Sequence, residues 1–148
     1  MSYDPPPEFR DHVARVCRYL RHQLYLNEWH GHIRFEDIAG STDPDDEIKA
    51  QIKVNSVYLY YILRIGQSML GDWRNGQFNV IGEDLCHELC HVLTDPLACL
   101  AKADAAPSQI HLIEECNERQ TQRIARIVTY ALPDGWWEPE YLQRWEKR

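Results

Sequence analysis

His87-Glu88-Leu89-Cys90-His91 sets two imidazoles four residues apart, with a carboxylate beside the first. On a helix that spacing stacks both rings on one face, a turn apart, so their nitrogens can reach a single metal ion. Glu88 then lies next to that ion, where a carboxylate can hold a water and take its proton. The chemistry such a set supports is metal-assisted hydrolysis. Cys86 and Cys90 each precede a histidine by one residue, about 100° round the helix, which turns them away from that metal. They are expected to be small buried side chains. The competing reading is two ordinary histidines on an amphipathic helix, with Glu88 in solvent.

A helix carrying this motif is predicted from about Ile81 to Thr94. No glycine or proline interrupts 83–95, and Ile81, Leu85, Leu89, Val92 and Leu93 recur at helical spacing as its apolar face. His87, Glu88 and His91 lie off that stripe and face a cleft. Asp95-Pro96 is expected to end the helix, because proline lacks an N–H and clashes with the preceding turn.

The elements that must hold this helix read as α+β. Residues 1–7 are proline-rich and expected to form a flexible tail. Helical spacing of Phe9, Val13, Val16 and Leu20 predicts a first helix from Pro7 to about Asn27. His30–Glu36 and Ala50–Val54 alternate as strands, with a turn over 40–46 between them. Val57–Ile65 is rich in aromatic and β-branched residues and reads as a third strand, closed by Gly66 and a loop over 71–76. Pro107-Ser108 offers a start for a last long helix from about Gln109 to Leu132, stopped by Pro133-Asp134-Gly135. The segment after it is expected to add a helical turn that packs its tryptophans on the body. With no internal repeat and no linker, residues 1–148 read as one domain with a small antiparallel or mixed sheet.

Composition narrows the function. A net charge of −7 argues against nucleic acid or an anionic membrane as partner. The start MSYDPPPEFRDH has neither a basic region nor an apolar run, so no signal peptide is expected. No stretch reaches the roughly 18 apolar residues of a membrane span. Five cysteines, an odd number, read as reduced thiols of a cytoplasmic protein rather than a disulfide framework.

Zinc in a catalytic site takes three protein ligands and leaves a position for water, so the two histidines need a partner. The next acidic cluster is Glu114, Glu115 and Glu118. On the last helix, Glu114 lies about 80° and Glu118 about 120° from the apolar Ile124, while Glu115 lies about 180° away, toward solvent. Glu114 and Glu118 therefore border the buried face, one as the ligand and the other as partner of a histidine ring N–H. Asp95 is a rival, four residues beyond His91. However, three ligands in one straight helical row span roughly 12 Å, too far for one tetrahedral ion.

The ordered set Leu24-Tyr25-Leu26-Asn27-Glu28-Trp29, His87-Glu88-Leu89-Cys90-His91 and Glu118-Arg119-Gln120-Thr121-Gln122-Arg123-Ile124-Ala125 resembles the gluzincin branch of zinc metallopeptidases, in the minimal single-domain form of phage and prophage proteins. The last stretch is also similar to the glutamate helix of ImmA/IrrE-type regulatory peptidases. The resemblance implies a zincin-like layout of helix, small sheet, motif helix and glutamate helix. It implies Zn2+ held by His87, His91 and Glu118, with Gln122 where those proteins often carry Asn, and Glu114 remains the alternative ligand. It implies a cytoplasmic protease of a bacterium or a phage-infected cell, hydrolysing a peptide or protein substrate with Glu88 as general base. The branch's fuller motif, Glu with Asp four residues on, is met only loosely. No third histidine follows His91, which excludes the metzincin branch, and no helix-turn-helix accompanies the site. A donor to the oxyanion is expected from a His, Tyr or Arg near the cleft; Tyr58, Tyr60, Tyr61 and Tyr130 are open candidates, although aromatics in such runs are more often core. The run 57–65 is expected to offer an exposed edge to which substrate adds as a strand. Two other classes compete: a catalytically inactive zinc-binding regulatory or interaction protein on a peptidase scaffold, and a protein in which the motif is incidental.

Overall fold

The computed structural model describes residues 3–38 and 48–148. The turn expected over 40–46 lies outside the described residues. The elements follow in the order α1 (Pro7–Gln23), β1 (His30–Phe35), β2 (Ala50–Asn55), β3 (Tyr60–Ile65), α2 (Gln67–Arg74), α3 (Phe78–Ala103), α4 (Pro107–Ala131) and α5 (Pro139–Glu146). The α+β class read from the pattern is the one observed.

The first described residues pack on the body rather than trailing from it. The Tyr3 hydroxyl donates to the Gly66 carbonyl at 3.0 Å, and the Tyr3 ring meets Phe35 edge-on. α1 opens with proline at its first turn, where a missing N–H does no harm. It buries Phe9, Val13, Val16 and Leu20 completely. It stops at Gln23, short of the expected Asn27. Tyr25 adopts φ 56°, its N–H donates to the His22 carbonyl at 3.3 Å, and the Leu26 N–H donates to the Arg21 carbonyl at 2.8 Å. This is a Schellman stop, a turn usually made by glycine. Burial of Leu26 just beyond it, at 1 % exposure, offsets the left-handed strain of the tyrosine.

The sheet runs β1-β3-β2, with β1 parallel and β2 antiparallel to β3. Two expectations about the third strand are corrected. It starts at Tyr60, not Val57, because Leu59 sits at φ 48°, outside the extended region. It is also the central strand, hydrogen-bonded on both sides, so it has no free edge for a substrate. The buried alternation of Tyr61, Leu63 and Ile65 belongs to that central place. β2 is an edge strand instead.

A loop was expected over 71–76, but α2 occupies 67–74. Met69 and Leu70 are buried and Trp73 packs on the core, and this apolar face outweighs the turn character of Gly71 and Asn75. α3 is corrected as well. It runs through Pro96 to Ala103 rather than ending at Asp95. Proline forfeits one backbone bond to the Val92 carbonyl, yet α3 is fastened to α4 on both sides of it. The Thr94 and Thr121 hydroxyls lie 2.7 Å apart, Asn117 donates to Asp95 at 2.8 Å, and Lys102 meets Glu114 at 3.3 Å. α4 starts at Pro107, and the Gln109 side chain accepts from the Ala106 N–H at 3.0 Å, so Ser108 is not the cap.

The tail tryptophans close the core. Trp136 is fully buried and stacks on Tyr19 at 5.6 Å, while Trp145 meets the edge of the same ring at 5.2 Å. Gly82 is needed where α3 passes this turn, because a Cβ there would lie 2.9 Å from the Trp137 Cβ and 3.0 Å from the Trp136 ring. No helix among the described residues is long and apolar enough to cross a membrane.

Candidate metal centre

His87 and His91 leave α3 on one face, with ring centroids 5.0 Å apart. Glu118 meets them from α4. Its Oε1 lies 3.0 Å from His87 Nε2 and its Oε2 lies 3.3 Å from His91 Nε2. One ligand atom from each of the three residues lies within 4.8 Å of the other two. The hairpin register that brings Glu118 here is locked one turn away. Thr121 gives its only hydroxyl proton to the Asn117 carbonyl at 2.9 Å, so Thr94 is the donor in the buried 2.7 Å contact between the two threonines.

Behind His91, the Asp95 carboxylate lies 2.9 Å from Nδ1 and also accepts from Asn117. Burial alone would lower the His91 pKa, but the Asp95 hydrogen bond and the charges of Asp95, Glu88 and Glu118 outweigh it and raise it. Burial likewise pushes the Asp95 carboxyl up, and the His91 and Asn117 hydrogen bonds overcome it, leaving the group below its ordinary range. His87 differs. Its Nδ1 is buried with no hydrogen-bond partner among the described residues, and burial, only partly opposed by Glu118, lowers its pKa.

Glu88 shares a cavity with both histidines, Asp95 and Glu118. Burial pushes its carboxyl up to about 7, against the pull of His91 and of the Ile52 backbone N–H that donates to it. An N–H turned toward Glu88 is not bonded to β3, so at Ile52 the outer edge of β2 faces the cleft. Lys49, just before β2, reaches Asp72 of α2 at 2.8 Å and Asp84 of α3 at 4.0 Å, which ties the strand to both helices.

The remaining sequence candidates fall elsewhere. Glu114 pairs with Lys102 at 3.3 Å and is not part of the cluster, and Glu115 pairs with Arg119 at 3.3 Å. Asp95 is not a member either, but orients one. Cys86 and Cys90 are both buried, and the Cys86 thiol points at the Ala125 carbonyl. Tyr61 is core, with its ring filling the space a side chain at residue 31 would need. Tyr60 packs edge-on against His32, and Tyr58 is exposed in the turn before β3. Tyr130 borders a cavity that also contains His87. The sequence reading missed Asn117 and Ile52. Asn117 adjoins the acidic cluster, but only the hairpin register shows it facing Asp95. Ile52 contributes a backbone amide, which its side chain does not announce.

Two imidazoles and one carboxylate are the composition of a catalytic zinc site. Bonds of about 2.0–2.1 Å in a tetrahedron set ligand atoms roughly 3.3 Å apart; the three donors lie within 4.8 Å of one another, and each Glu118 oxygen meets a different histidine, at 3.0 and 3.3 Å. A cavity of about 360 Å3, lined by Ala50, Glu88 and Gln122 among others, opens on His87 and Glu118 and leaves room for a fourth ligand. Comparison with protein-family models, with curated proteins and with solved structures gives no match.

Proposed function

We propose that this protein is a zinc-dependent peptidase. The observation that carries the reading is the convergence of His87, His91 and Glu118 beside the half-buried Glu88. When bound, zinc in this donor set supplies Lewis acidity, polarising a carbonyl and making water a stronger acid. Glu88 is the proton carrier. With its carboxyl near 7, it takes a proton from the attacking water and returns it to the leaving amine. Asp95 holds the His91 Nδ1–H and leaves Nε2 as the lone-pair donor, and Asn117 fixes Asp95 in turn. The outer edge of β2 is the surface along which an extended peptide lies, main chain to main chain. The cytoplasmic setting implied by the resemblance goes with this reading.

The test is zinc content and peptide-library turnover for wild type and Glu88→Gln. One zinc per chain is expected in both, with hydrolysis slowed at least about 100-fold in the variant. Equal hydrolysis at equal zinc content would remove Glu88 from the mechanism. Zinc bound with no turnover of any peptide would instead favour an inactive regulatory protein.

A further inference from the structure

Two columns of side chains at four-residue spacing border the cleft. On α3 they are Glu83, His87, His91 and Asp95, and on α4 they are Glu118, Gln122, Arg126 and Tyr130. Four-residue steps keep each column on one helix face. Past Gln122 the groove widens into a cavity of about 560 Å3, bounded by Glu83 and His87, by Arg126 and Tyr130, and by Asp134 and Trp137 of the turn after α4. That volume falls in the range of small-molecule pockets. Arg126 also lines a shallower cavity on the other side of Gln122, beside Glu118 and Arg123. It is the cation common to both. It is exposed and forms no ion pair with another described residue. Its neighbour Arg119, by contrast, is engaged by Glu115. Along α4, Arg126 stands two turns beyond Glu118, roughly 12 Å of helix rise.

We propose that Arg126 anchors a carboxylate of the bound peptide, with Gln122 and Tyr130 as flanking donors. The inference rests on the peptidase reading and names a feature of its substrate. A guanidinium presents a planar fork that matches a carboxylate with two parallel bonds. The Gln122 amide and the Tyr130 hydroxyl, one turn to either side, extend the same wall of donors. Glu83 and Asp134 line the same cavity from α3 and from the turn. They repel an anion from their own sides and leave α4 to receive it. The carboxylate is that of the peptide C-terminus or of an Asp or Glu side chain near the bond to be cut.

The test is calorimetric titration of full-length Glu88→Gln protein with zinc present. The probe is a mixed-sequence hexapeptide with both ends free, with its C-terminus amidated, with its N-terminus acetylated, or with both ends blocked around an internal Glu. Each titration is repeated with Arg126→Gln added, an exposed substitution that leaves the core untouched. Amidation is expected to weaken binding about tenfold or more, and Arg126→Gln to do the same to the free acid and then ignore amidation. Recovery of affinity by the blocked Glu peptide, through Arg126, supports the proposal with a side chain as the source. Equal affinity for acid and amide with no gain from the blocked Glu peptide, loss on N-acetylation alone, or no binding by any form overturns it. Zinc content, read on the same samples, separates the two readings. Protein that takes up no zinc refutes the peptidase, while binding that still follows Arg126 keeps the carboxylate site.

Discussion

Asp95 Oδ1 lies 2.9 Å from His91 Nδ1, one helical turn away on α3. A contact to Nδ1 assigns the proton there and turns Nε2 toward Glu118, so an aspartate beside a proline orients an imidazole of the candidate site instead of closing a helix. Asn117, at 2.8 Å from the same oxygen, keeps the carboxylate in place. Asp95→Asn removes the charge and keeps the shape. Zinc affinity in a competition titration is expected to fall roughly 10- to 100-fold, the usual range for losing such a partner. Unchanged affinity would leave Asp95 with no part in the metal site.

Glu118 and Glu114 separate cleanly. Glu118→Ala removes the carboxylate that meets both imidazoles and is expected to abolish stoichiometric zinc in elemental analysis. Glu114→Ala breaks a half-exposed pair with Lys102, an interaction of at most about 1 kcal/mol, and is expected to keep full zinc. The reverse pattern would move the third ligand to Glu114.

The difference between these two glutamates shows what a sequence can and cannot disclose. His87, Glu88 and His91 were legible because a helix turns a spacing of four into a shared face, whatever it packs against. Periodicity left Glu114 and Glu118 equivalent, and only a resemblance favoured one. In the fold the choice is made by the Thr94–Thr121 contact, which sets the hairpin register and is a tertiary fact. Pro96 misled because a general rule about helix ends yields to a partner helix fastened on both sides. Tyr25 and Leu59 occupy left-handed positions without glycine, so neither the end of α1 nor the start of β3 was signalled. β3 alternates, with Tyr61, Leu63 and Ile65 buried and Tyr60, Ile62 and Arg64 half-exposed, but strand order is not written in periodicity, and β2 took an edge.

Gly82→Ala sets helix propensity against packing. In an exposed helix the change would stabilise by up to about 1 kcal/mol. Here the new Cβ meets the Trp137 Cβ at 2.9 Å, beside a Trp136 that is fully buried and stacked on Tyr19. Overpacking of this kind destabilises by about 1–3 kcal/mol. A lower urea midpoint is expected. A higher one would mean that the turn after α4 shifts freely, and with it the wall of the cavity next to His87.

His12 gives the protein an acid limit independent of the candidate metal site. Its ring is 4 % exposed, both nitrogens lack partners among the described residues, and it packs against Phe78 at 5.0 Å. Burial pulls its pKa from 6.5 down to about 4, with Asp11 opposing and Arg15 assisting. The unfolded chain therefore takes the proton first. The stability of the neutral ring is complete above about pH 6.5 and is lost as pH falls toward 4, on the order of 3 kcal/mol in all. Urea unfolding between pH 7 and 4, on chelator-treated protein so that zinc release plays no part, is expected to show this loss in wild type. His12→Leu starts from its own baseline but is expected to lose less over the same interval, because it has no ring to protonate. Equal pH slopes in the two proteins would assign the acid limb to another group and mean that the His12 ring finds water or a partner in solution.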